Sequence, residues 1–125
     1  QMCIRDRHKV VNFPTVKKSN NDIPEIRQVV LTDTATVLRI RAYYIPKYWI
    51  QIMKNIQLVA DNGTVCPVLR SEGIPLGEKF YMPESGEADY TLYFAPLPEG
   101  THSFDMVEPG DSNSDRVEGI SLTLE

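Results

Sequence analysis

Histidine, cysteine and tryptophan are scarce in this chain, with two, two and one among 125 residues. His8 and His102 stand far apart, and neither belongs to a His-x-x-x-His spacing. No Cys-x-x-Cys occurs, so the sequence offers neither a zinc-ligand pattern nor a redox pair. No serine or cysteine has a recognisable partner motif around it. Apolar runs fall well short of the roughly 18 residues needed to cross a bilayer as a helix. Basic residues are outnumbered, 13 to 17, giving a net charge of −4 and a pI near 5.2. That balance speaks against nucleic acid or an anionic membrane as partner. The expectation is a domain that is not an enzyme, with no catalytic, cofactor-binding or metal-binding residues.

Residues 1–7 are set apart from the fold. Met2-Cys3-Ile4-Arg5-Asp6 is what ATG TGT ATA AGA GAC encodes, and it reads as a translated sequencing adapter rather than native protein. Without Arg5, Asp6 and Arg7, the 13 basic and 17 acidic residues become 11 and 16, a net −5. Cys3 leaves with them, so Cys66 has no partner for a disulfide. Residues 8–125 then read as a single domain, large enough for a two-layer core.

Nine prolines and seven glycines, spread along the chain, suit many short strands joined by turns. The clearest signal is a pair of alternating runs, 88–94 and 103–107, flanking the corner Pro96-Leu97-Pro98-Glu99-Gly100. Earlier strands are expected at 8–13, 25–32 and 35–43, with 17–22 a polar loop. In the second of these, Ile26 and Leu31 share a face only if the strand carries a bulge. In the third, Leu38, Ile40 and Ala42 point inward, while Val37, Arg39, Arg41 and Tyr43 point outward. Tyr48 to Ile52 is a short strand or a crossover. Residues 71–86 carry enough apolar side chains to lie across the domain, and Ile120, Leu122 and Leu124 close it. The fold class is all-β, an immunoglobulin-like antiparallel β-sandwich of about eight strands.

Asn62-Gly63 predicts a two-residue type I′ hairpin between 56–60 and 64–69. That register sets Val59 opposite Cys66 and Leu58 opposite Pro67. It also puts Val65 and Leu69 on the core face and Cys66 on the other. Pro67, lacking an amide, then predicts an edge strand.

Two constellations stand out. Asp111-Ser112-Asn113-Ser114-Asp115 has the oxygen spacing of a calcium loop. Arg116 and Leu122, however, occupy the places where such a loop needs glycine and glutamate. It reads as a solvated turn. Tyr43, Tyr44, Tyr48 and Trp49 cluster around Pro46. Tyr44, Tyr48 and Trp49 are the candidate ligand-stacking aromatics, set against the plainer expectation that such rings fill a core.

Three stretches, 31–38, 72–86 and 96–105, resemble in order and spacing an N-terminal β-sandwich module of exported proteins from gut anaerobes. In that family the module often precedes a thioredoxin-like (redoxin) domain. The resemblance spans nearly all of residues 8–124. It implies a non-catalytic accessory domain of a cell-envelope or periplasmic protein, with a C-terminal thioredoxin-like domain as partner. It carries no redox cysteine onto this chain. Relatives have an aromatic-rich step where this sequence has the acidic 111–115. A stand-alone cell-surface module for glycan or protein is the other expectation.

Overall fold

A computed structural model describes residues 8–20, 22–109 and 116–122. Strands are β1 (His8–Asn12), β2 (Lys18–Ser19), β3 (Pro24–Thr32), β4 (Thr36–Tyr43), β5 (Trp49–Gln51) and β6 (Gln57–Ala60). They continue as β7 (Val65–Glu72), β8 (Lys79–Tyr81), β9 (Glu87–Phe94), β10 (Ser103–Val107) and β11 (Arg116–Ser121). Three of these segments, β2, β5 and β8, have three residues or fewer, and eight longer strands carry the fold among the described residues.

Nine strands form one curled antiparallel sheet in the order β1-β3-β4-β9-β7-β6-β10-β11-β2, and β5 pairs with β8 apart from it. The sheet folds over at β7, so β3-β4-β9-β7 faces β7-β6-β10-β11 as two layers. The neighbours β3-β4-β9-β7 and β6-β10-β11 follow the A-B-E-D and C-F-G order of the immunoglobulin sandwich.

Alternation in β4 places Leu38, Ile40 and Ala42 in the core, each 2 % exposed or less. Leu92 and Phe94 join them from β9, facing Leu58, Phe104 and Ile120 of the second layer. Each of the leucine, isoleucine and phenylalanine side chains contributes about 1.5–3 kcal/mol by leaving water. The bulge required in β3 lies between Ile26 and Gln28, and it lets Ile26, Val29 and Leu31 all be buried. Residues 73–86 cross the open end of the sandwich, with Ile74 and Met82 buried.

The β6–β7 hairpin differs from expectation. Gln57, Leu58 and Val59 pair with Pro67, Cys66 and Val65, one residue out of the type I′ register. The loop has three residues, because positive φ is adopted by Gly63 (93°) and not by Asn62. The Asn62 side chain instead accepts the Thr64 amide at 3.0 Å, and Gly63 closes the turn onto the Ala60 carbonyl. A one-residue slip exchanges the faces of a strand. Cys66 is therefore buried in the core, while Val65 and Leu69 are half-exposed.

Nor is β7 an edge strand, since it pairs with β6 through 65–67 and with β9 through 68–72. Pro67 marks the change of layers. The bonded pair 60/64 makes 57/67 a non-bonded pair, so the missing amide faces away from β6. There the Pro67 carbonyl accepts the Ala95 amide at 2.9 Å, just past the end of β9, and no donor is required. Leu69 is the bulge residue that turns the strand toward β9. The polar segment 17–22 is also not wholly a loop, because Lys18–Ser19 pairs with β11 as β2.

Candidate functional site

The two ends of the sandwich differ. At one end lie the Thr32–Thr36 turn, the 95–102 corner, the 61–63 turn, and the first and last described residues. His8 pairs with Thr32, and the Leu122 amide donates to the His102 carbonyl. The opposite end, where β4 stops and β11 starts, carries the connections 44–56 and 73–86. Pro46 fixes the second position of a turn closed by the Tyr48 amide on the Ile45 carbonyl at 3.1 Å. Lys47 follows with φ 68°, the pattern of a type II turn, which normally takes glycine at this position. The Lys47 amide donates to the Met82 carbonyl, and its ammonium lies 3.1 Å from Glu84. The turn sends the chain into β5, paired with β8 as Trp49↔Tyr81, Ile50↔Phe80 and Gln51↔Lys79.

Between this hairpin and the ends of β3, β10 and β11 opens a cleft of ≈ 440 Å³, within the usual range for ligand sites. Tyr44, Tyr48 and Trp49 all line it, so the three aromatic candidates are brought together. Tyr44 and Tyr48 meet with ring centroids 5.6 Å apart and planes tilted by 52°. Tyr48 and Trp49 are 6.2 Å apart and closer to parallel, at 25°. The Lys79 ammonium sits 4.7 Å from the Trp49 ring, a cation–π contact. Ile56, from the same connection, and Met106 and Val117, from strands distant in sequence, contribute apolar lining. Glu108 and Arg116 add one charge of each sign. Glu108 Oε2 accepts the Met53 amide at 3.3 Å, and Arg116 pairs with Glu118 at 2.8 Å. These distant contributors have no local sequence signal, since Glu108 and Arg116 merely flank a stretch that reads as a polar turn.

Tyr43, the fourth ring of the cluster, lies elsewhere. Its hydroxyl donates to Glu25 at 2.8 Å on the outer face of the β3–β4–β9 layer. That hydrogen bond, with some burial, raises its pKa. On the same face Arg41 makes a two-pronged contact with Asp89 at 2.7 and 3.1 Å. Arg70 lies 3.7 Å over the Tyr93 ring and bonds Glu72 at 2.8 Å. Charges here alternate in sign and offer no single-sign patch.

Cys66 is 1 % exposed, and burial pushes its thiol pKa up, the opposite of what a nucleophilic cysteine needs. The His102 imidazole lies 3.5 Å from Asp61 at the far end of the sandwich. Among the described residues no group of three or more His, Cys, Asp or Glu side chains could hold a metal ion, and no helix is long and apolar enough to cross a membrane. The calcium-like spacing at 111–115 lies outside the described residues. No family model, curated protein or solved structure matches the chain.

Proposed function

We propose that this domain is a non-catalytic accessory module of a cell-envelope protein, and that its working surface is the aromatic cleft. The observation that carries the reading is the convergence of Tyr44, Tyr48 and Trp49 on one apolar concavity. Tyrosine and tryptophan supply large contact area with few rotatable bonds. The thiol, Cys66, is in the core and away from this surface. The likeness of 31–38, 72–86 and 96–105 to the exported module supports the envelope setting and a thioredoxin-like domain after this one. In that arrangement the sandwich would bind, and the neighbouring domain would do the chemistry.

A stand-alone cell-surface binding module is the second reading, and the cleft would serve it equally. The near-parallel Tyr48 and Trp49 rings, with Tyr48 half-exposed, favour a glycan within that reading, because pyranose faces stack on aromatic rings.

Trp49 is the only tryptophan, so its emission reports on the cleft alone. Titration with laminarin, xylan, mannan and a pool of random heptapeptides should shift that emission for one class, and Tyr48→Ala should abolish the shift. A flat response to all four would overturn the cleft as the working surface.

A further inference from the structure

Trp49, Ile50, Gln51, Ile52 and Met53 all line the cleft, although they are consecutive in an extended segment. Side chains of a strand alternate between faces. Five successive residues can border one cavity only if the cavity runs along the strand's edge, so that backbone forms part of its wall.

The hydrogen bonds identify that edge. The Met82 amide donates to the Tyr48 carbonyl at 2.7 Å, and the Gly77 amide donates to the Ile52 carbonyl at 2.6 Å. The Tyr48 and Ile52 carbonyls, on either side of β5, therefore face the side of β8 and its approach, and Ile50, opposite Phe80, shares their parity. Alternation directs the amides and carbonyls of Trp49 and Gln51 to the other side. β8 is the single strand neighbour of β5 among the described residues. Met53 shares the outward parity, and its amide donates to the Glu108 carboxylate. A side chain thus covers one end of this edge, and among the described residues no backbone partner meets Trp49 or Gln51 on it. Trp49 and Gln51 are partly exposed, and unpaired backbone groups persist where water reaches them.

We propose that the cleft takes an extended peptide of another protein, which adds as a strand to the outer edge of β5 and sets alternate apolar side chains between Tyr48, Met53 and Met106. This rests on the cleft being the working surface and names its ligand class. A polypeptide backbone has donors and acceptors at the repeat of Trp49 and Gln51, and a pyranose does not. Strand addition of this kind takes affinity from main-chain bonds and specificity from pockets for every second side chain. The exposed Ile45, Tyr48, Met53 and Tyr81 gather at this end of the fold, with the tyrosine and methionine content typical of protein interface cores. The cleft also lies a strand length from both described chain ends, about 26 Å for the eight residues of β4.

A displayed library of random heptapeptides, selected on the immobilised domain, tests this directly. Selection should enrich sequences with apolar residues at alternate positions. A winning peptide is then synthesised with N-methyl groups on odd or on even amides, which removes donors from one edge at a time. One series should weaken binding about tenfold or more, and the other should leave it near the parent value. Gln51→Pro in the domain removes an outward amide and spares the β5–β8 bonds, so it should weaken binding similarly while circular dichroism is unchanged. Equal effects of the two N-methyl series on the unaltered domain would overturn strand addition, whether or not the proline variant folds. So would failure to enrich any peptide. A polysaccharide that shifts Trp49 emission while peptides do not would sink this inference and leave the accessory reading standing.

Discussion

The Cys66 thiol donates to the Pro96 carbonyl at 3.5 Å, a contact from β7 to the corner that carries the chain between layers. With Leu58 directly opposite, the sulfur is held in apolar surroundings and its proton is hard to remove. Thiol–disulfide exchange needs an attacking thiolate and a second thiol to resolve the mixed disulfide. The domain should therefore not accelerate insulin reduction by dithiothreitol, and Cys66→Ser should behave like the parent. Acceleration that vanishes in the serine variant would make Cys66 a functional site.

Gly63 and Gly119 both adopt positive φ, at 93° and 67°, but in different surroundings. A Cβ at Gly63 meets nothing within 4 Å, whereas one at Gly119 would fall 2.5 Å from the Lys17 Cβ. Gly63→Ala should cost only its backbone strain, about 1 kcal/mol. Gly119→Ala should cost more, because β11 must separate from the Thr15–Lys17 segment as well. Thermal unfolding of the two variants checks the order, and equal midpoints would contradict the close approach at Gly119.

Asp89 is held below its ordinary carboxylate pKa, chiefly by the hydrogen bonds from Arg41 and then by its charge. A depressed folded-state pKa adds stability above the unfolded value near 3.8 and loses it as the pH falls through the folded value. The pair is solvent-exposed, so the effect is small and sensitive to salt. Asp89→Asn should lower the urea midpoint at neutral pH, and the difference should close as the pH falls below the depressed folded value. A difference that persists in acid would mean that Asp89 acts through something other than its charge.

Much of the sandwich is legible in the sequence because one-sided burial enforces a period of two. Leu38, Ile40 and Ala42 leave β4 no other register, and the spacing of Ile26 and Leu31 requires the bulge in β3. The hairpin is less determined. Asn62-Gly63 suits a two-residue and a three-residue loop alike, and only the burial of Cys66 opposite Leu58 separates them. Pro67 misleads for a related reason, since a missing amide marks any point where a strand stops needing a donor. At the cleft, the adjacent rings Tyr44, Tyr48 and Trp49 are visible as a local cluster. Met106, Glu108 and Arg116 come from more than fifty residues away and meet them only through the fold.

Thr36 is fully buried, and its Oγ1 accepts the Leu97 amide at 2.9 Å. This bond fixes the corner after β9 to the start of β4, where Leu97 itself is 1 % exposed. Thr36→Val keeps the shape and removes the acceptor, leaving a buried amide without it, at a cost of about 1–3 kcal/mol. Thr36→Ser keeps the acceptor and loses a methyl group, which costs about 1 kcal/mol. The two substitutions separate hydrogen bonding from packing at one site. Chemical denaturation should rank parent, serine and valine in falling order of stability. If valine proves as stable as serine, the corner is held by the packing of Leu97 and the hydroxyl adds nothing.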